Sequence, residues 1–190
     1  FLTREEIKAD SEKSENYLSR IMRASERMDA FLNEVMLLSR LQKMEIPYER
    51  ISGNIIVEQA LRSLENRIEQ TRAQVTVAKD LPELKASITW AKQAIFNLLA
   101  NALKFVNPGE RPDILVSPYV PLENEYRYSG IVVQDRGPGI PPESVERVFK
   151  LFQRAVGNEI EGTGAGLAIV KEVAMKHGGN VYYEARKSGG

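Results

Sequence analysis

A chain of 190 residues can bury one good core with room left for a smaller appended element. Its 26 Lys and Arg balance 26 Asp and Glu, so no net field draws in nucleic acid or an acidic membrane, and neither is expected as a partner. Cysteine is missing and histidine occurs once, which excludes disulfides, thiolate metal sites and a structural zinc, and leaves little for a Ser-His triad. No apolar run approaches the roughly 20 residues needed to span a bilayer, and no signal peptide is recognisable. This segment is therefore expected to work in the cytoplasm without membrane contact, whatever anchors the intact protein.

Residues from about Ala9 to Gln42 read as one long amphipathic helix. Tyr17, Ile21, Ala24, Met28, Phe31, Val35 and Leu38 alternate steps of four and three, a heptad seam with a mean period of about 3.5 residues. Leu18 and Leu32 widen the stripe, while Lys13, Glu15, Arg20, Arg23, Glu26, Arg27 and Glu34 cover the other faces. Such a helix has to pack against other helices; lying on its own domain is the plainer alternative. Ile46-Pro47 is expected to end it, because a residue before proline is pushed out of the helical region.

From Tyr48 the pattern changes. The spacing predicts a helix from Ile55 to about Glu69, a half-buried strand over Gln74–Ala78, and a helix from Ile88 to about Val106. Strands follow at Ile114–Val116 and Ile131–Val133, then a short helix over about Pro142–Phe152, a longer one over about Gly166–Lys176, and a last strand at Val181–Tyr183. Helices and strands mixed in this way imply an α+β fold: a two-layer sandwich with a mixed sheet and its helices on one face. The division expected is 1–46 for the long helix and 47–190 for the sandwich.

Chemistry gathers at particular places. On the helix from Ile88, Asn97, Asn101 and Lys104 fall within a wedge of about 60°. Amide oxygens and an ammonium on one ridge can coordinate a hard cation and meet a phosphate, although a solvated polar face is the plainer reading. Asp135-Arg136-Gly137-Pro138-Gly139-Ile140 follows an apolar strand, where glycines let the chain turn sharply and a flat ligand approach. A carboxylate there can accept an exocyclic amine; alone, the motif is also a simple Asp-Gly turn. Gly162-Thr163-Gly164-Ala165-Gly166-Leu167 runs into the next helix, whose N-terminal N–H groups favour anions. It lacks the Gly-Lys-Ser/Thr ending of a Walker loop, and its glycine spacing differs from the dinucleotide fingerprint.

In this order and spacing the motifs carry a family resemblance. Asn97-Leu98-Leu99-x-Asn101-Ala102-x-Lys104-Phe105 resembles the N box of the histidine-kinase and GHKL ATPase superfamily. Asp135-x-Gly137-x-Gly139-Ile140 resembles its G1 box, Arg147-Val148-Phe149-Lys150-Leu151-Phe152 its F box, and Gly162-Thr163-Gly164-x-Gly166-Leu167 its G2 box. The resemblance covers the chain from about Tyr48 to its end and implies the Bergerat ATP-binding fold. The heptad helix is similar to the second helix of the dimerisation hairpin of sensor histidine kinases, which separates the chain from gyrase-type, mismatch-repair and chaperone ATPases. Asn107-Pro108-Gly109 and Arg111-Pro112 resemble phytochrome-associated kinases in texture.

The resemblance implies ATP and Mg²⁺ as ligands. Asp135 would take adenine, Gly137 and Gly139 would shape that wall, and Asn101 would coordinate Mg²⁺ with Asn97 and Lys104 assisting at metal and phosphates. Gly162, Thr163, Gly164 and Gly166 would close over the phosphates, with Phe149 and Phe152 packing a short lid. It further implies a homodimer through the N-terminal helix and docking of a response-regulator receiver domain. The chain departs from the pattern in its histidine: the only one is His177, at a helix C-terminus before Gly178, where a structural role is expected. No phosphoacceptor or other catalytic side chain is therefore assigned; the acceptor helix would precede Phe1. The family also adds a strand after Gly190, so the sheet is expected to be one strand short. The function implied is the catalytic core of a two-component sensor histidine kinase that binds Mg-ATP without phosphorylating itself. A related GHKL ATPase or serine kinase, and an inactive nucleotide-sensing scaffold, are the alternatives.

Overall fold

A computed structural model describes residues 4–43, 47–119, 129–151, 153 and 163–186. The heptad pattern folds as one helix, α1 (Arg4–Lys43), followed by β1 (Glu49–Ser52), α2 (Gly53–Arg62), α3 (Glu65–Thr71), β2 (Gln74–Val77) and β3 (Glu83–Ala86). Then come α4 (Ile88–Lys104), β4 (Asp113–Pro118), β5 (Ile131–Gln134), a 3₁₀ turn (Pro142–Ser144) and α5 (Gly166–Lys176).

The strands form a mixed sheet in the order β2-β4-β5, with β2 parallel and β5 antiparallel to β4, and a separate antiparallel pair β1-β3. Alternation along β4 turns Ile114 and Val116 inward, where Ile56, Val57 and Ala60 of α2 and Ile95, Leu99, Ala102 and Leu103 of α4 cover them. The α+β sandwich with a mixed sheet is the architecture expected. A second apolar cluster lies outside it: Leu38 and Leu41 of α1 pack with Trp90 of α4 and with Ile169 and Val173 of α5. The C-terminal end of α1 thus docks on the sandwich, while Tyr17, Ile21 and Met28 farther up the seam stay 61–65% exposed.

Several local expectations are corrected. The helix drawn from Ile55 to Glu69 is two helices, broken at Ser63–Leu64. Ser63 Oγ turns back to the Gln59 carbonyl at 3.1 Å and the Leu64 N–H bonds the Leu61 carbonyl at 2.9 Å, a tighter turn that keeps Leu64 in the core at 4% exposure. The helix expected over Pro142–Phe152 reduces to the 3₁₀ turn and further turns up to Leu151, because Val148 is the one buried side chain anchoring the segment among its described residues. Phe152 itself lies outside the described residues, as do Arg154, Gly162 and Ile46. Val181–Tyr183 forms no strand; the segment is held instead by side chains, with the Ile140 N–H donating to Tyr183 Oη at 3.0 Å and Arg186 donating to the Asp135 carbonyl at 3.3 Å. Alternation marks a half-buried extended segment, but a strand also needs a backbone partner. Strands β1 and β3 escaped the sequence reading because Glu49–Ser52 and Glu83–Ala86 are only four residues each, with mixed polarity.

His177 is structural, as expected. The Ser87 N–H donates to its Nε2 at 3.0 Å, so the ring proton sits on Nδ1, which donates to the Val173 carbonyl at 2.6 Å. Tyr48 meets the ring edge-on and donates through its hydroxyl to the Lys176 carbonyl at 2.5 Å.

Candidate functional site

Two glycine-bearing turns approach the C-terminal half of α4. At the first, β5 delivers Asp135, and the chain doubles back at once. The Gly137 N–H donates to Asp135 Oδ1 at 2.8 Å, which pins the carboxylate through one of its oxygens. The turn lies so close to the end of α4 that a Cβ on Gly137 would overlap the Phe105 carbonyl oxygen. Gly139 adopts φ 73°, the left-handed region a side chain disfavours, so the turn is built for glycine at both positions. Asn107 Nδ2 bonds the Arg136 carbonyl at 3.1 Å, and Arg136 pairs with Asp113 at 3.0 Å, fixing the turn to β4.

The second approach is the N-terminus of α5. A Cβ built on Gly166 would lie 3.9 Å from Asn97 and 4.0 Å from Asn101 Nδ2, so the asparagine ridge faces the helix start directly. Asn97 Nδ2 donates to the Gly166 carbonyl at 3.2 Å, and its Oδ1 accepts from Gln93 Nε2 at 3.2 Å. Gly164 has φ 79° and turns the loop into the helix. No side chain caps α5, which leaves its first N–H groups pointing at solvent or a ligand.

Asn101 makes no side-chain hydrogen bond among the described residues, so its Oδ1 can serve as a metal ligand, whereas Asn97 is already occupied by neighbours. Among the described residues no cluster of three or more His, Cys, Asp or Glu can hold a metal alone. One amide oxygen completed by phosphates and water suits Mg²⁺, which keeps waters and is shared with nucleotide phosphates. The donor set fits that ion.

The structure thus brings Asn97, Asn101 and Gly166 together and sets Gly137, in the turn of Asp135 and Gly139, against the Phe105 carbonyl just past the end of α4. Thr163 and Lys104 are joined to the first group through an unforeseen residue, Glu34 of α1. The Thr163 hydroxyl donates to Glu34 Oε2, and the Lys104 ammonium acts on the same carboxyl electrostatically. Burial raises the Glu34 carboxyl above its ordinary range, against the smaller downward pulls of Thr163 and Lys104. Position on a helical wheel assigns Glu34 to the polar side of α1, and nothing local marks it. Gln93 was also missed, though its place one turn before Asn97 was a usable signal. A cavity of about 390 Å³ opens beside these groups between α1, α4 and α5, lined by Glu34, Leu37, Gln93, Asn97 and Ile169 among others.

Residues 86–190 match the family described as histidine kinase-, DNA gyrase B-, and HSP90-like ATPase. The chain is 30% identical over 188 residues to the methanogenesis regulatory histidine kinase FilI of Methanothrix harundinacea, covering 98% of this chain and 21% of that protein. It is 34% identical over 160 residues to cyanobacterial phytochrome A of Nostoc sp., covering 84% of this chain and 20% of that one. It therefore spans about a fifth of the length of these curated relatives. Among solved structures, a mycobacterial sensor histidine kinase MprB is similar with a TM-score of 0.54 and 31% identity, over 69% of this chain and 80% of that chain.

Proposed function

The chain belongs to the histidine kinase-, DNA gyrase B- and HSP90-like ATPase family, and from that premise we propose that it is the ATP-binding catalytic core of a two-component sensor histidine kinase. The observation that carries this reading is the asparagine ridge of α4 facing the uncapped start of α5, with a pinned carboxylate in the turn packed against the end of the same helix. Adenine lies against the Asp135 turn, its exocyclic amine donating to Oδ2, and Gly137 and Gly139 keep that wall free of side chains. The triphosphate runs toward the N–H groups of α5, where Gly162, Thr163, Gly164 and Gly166 let phosphate oxygens approach the backbone. Lys104 offsets their charge and Asn97 braces the loop through Gly166. Mg²⁺ would be held by Asn101 Oδ1 and would neutralise charge on the phosphates. Phosphoryl transfer is mostly positioning and charge neutralisation, which is what these residues supply.

Residues 1–46 act as a dimerisation helix and 47–190 as the catalytic domain in this reading. The exposed seam from Tyr17 to Val35 supports a homodimer built by helix packing, and a response-regulator receiver domain docks on the helical dimer so formed. Among the described residues no helix is long and apolar enough to cross a membrane. The use of ATP supports a cytoplasmic site of action. His177 holds a helix end with both ring nitrogens engaged, which supports transfer to a histidine outside this chain.

Titration calorimetry of Mg-ATP against the chain and its Asp135→Asn variant tests the reading. Micromolar-range binding by the chain that the variant loses is the expected result; absence of binding by either overturns it. Incubation with ATP is expected to leave no acid-labile phosphate on the chain itself.

A further inference from the structure

We infer that Glu34 of α1 competes with the nucleotide's phosphates for Thr163 and Lys104, making it a positioning residue through which α1 controls ATP affinity. The inference rests on the nucleotide site described above.

Glu34 lies off the heptad seam, yet it is half-buried while its neighbours Asn33 and Val35 are exposed. It gains this burial by reaching the glycine-rich loop, where its Oε2 accepts the Thr163 hydroxyl, and by standing within the field of Lys104. A carboxylate oxygen and a phosphoryl oxygen share charge sign and acceptor chemistry, so both can bind the same hydroxyl and ammonium. They cannot do so together without strong repulsion. Thr163 also receives the Ala165 N–H at 3.4 Å, so a held Thr163 fixes the loop just before α5.

The contact does not stand alone on its helix. One and two turns along, Leu38 and Leu41 are buried at 7% and 0% exposure against Trp90, Ile169 and Val173. The docking of α1 therefore delivers Glu34 to the loop. By reciprocity, phosphates that displace Glu34 weaken the docking of α1, and a docked α1 weakens nucleotide binding by the same factor. Helix position and phosphate occupancy become two readings of one equilibrium.

The test is calorimetry of the whole chain and its Glu34→Gln variant against Mg-ATP and, separately, adenosine. Glutamine keeps the shape and an acceptor oxygen but not the charge. ATP is expected to bind about three- to tenfold more tightly to the variant, with adenosine unchanged, because adenosine has nothing to compete for. Unchanged ATP affinity overturns the inference, as does an equal shift for both ligands, which would mark a merely structural effect. Binding of ATP by the variant alone is the extreme form of the expected result. If neither protein binds ATP, the nucleotide reading itself fails and this inference with it. A Glu34→Asp variant, charged but too short to reach Thr163, is expected to fall between the two.

Discussion

The Phe105 carbonyl oxygen, just past the last turn of α4, occupies the space a methyl group on Gly137 would need. That approach sets the Asp135 turn directly against the helix carrying Asn97 and Asn101. A Gly137→Ala substitution must push the turn or the helix end aside, and neither is the tip of a flexible side chain. The expected cost is about 1–3 kcal/mol of stability together with loss of ATP binding, read by thermal melting and calorimetry. Gly166→Ala is the contrast: its Cβ would meet nothing nearer than 3.9 Å, so stability should hold and any lost affinity reports phosphate approach.

Asn101 is separable from the rest of the ridge because its side chain is not spent on neighbours. Asn101→Ala is expected to weaken Mg-ATP binding by about tenfold while leaving metal-free ATP binding in EDTA unchanged. Equal losses with and without metal would remove Asn101 from the metal and make it a phosphate or packing group.

Glu34 predicts a pH effect whose sign is fixed by burial. Its folded carboxyl is raised above the ordinary glutamate value of 4.5, chiefly by desolvation, so the fold favours the protonated form relative to the unfolded chain. That contribution is fully present below about pH 4.5 and is lost as pH rises through the raised value. Among the described residues Lys104 is the charged group acting on it, and Thr163 its hydrogen-bond donor. A permanently neutral Glu34→Gln should melt above the parent chain at pH 7, with the gap closing by pH 4. A gap that widens toward acid would contradict the assignment.

The upper seam of α1 predicts self-association. Ile21 and Met28 are each 65% exposed on a single apolar stripe, a surface that water tolerates poorly. Ile21→Lys with Met28→Lys is expected to shift the chain toward monomer in sedimentation velocity without altering adenosine affinity. Unchanged association would place the dimer contact elsewhere.

How much could be read beforehand depended on how local each feature is. Helices α4 and α5 and strands β4 and β5 stood out because buried positions repeat within a few neighbours, and their ends matched to within about two residues. The site residues were also legible: asparagines spaced four apart share a helix face whatever the fold, and glycines next to Asp135 and Thr163 announce tight turns. The break at Ser63–Leu64 was not, because the apolar stripe of Ile56, Ala60, Leu64 and Ile68 runs on across it. The unpaired 181–183 segment failed for a related reason: alternation says which side chains are buried, not which backbone lies alongside.

Periodicity and spacing alone thus determined the α+β class and the long helix and marked the asparagine ridge and the glycine-rich turns, while the roles expected of those residues came from the family resemblance. Packing decided everything that joins distant stretches. Gly137 beneath Phe105, Asn97 on Gly166, and Glu34 on a threonine 129 positions away exist only once α1, α4 and α5 lie together. The physical reason is that helix and strand signals come from backbone geometry repeating along the chain, while a contact between remote side chains is set by how buried surfaces fit. The same reasoning explains why Glu34 reads as an ordinary solvated charge on a helical wheel and becomes a half-buried carboxyl in the folded protein.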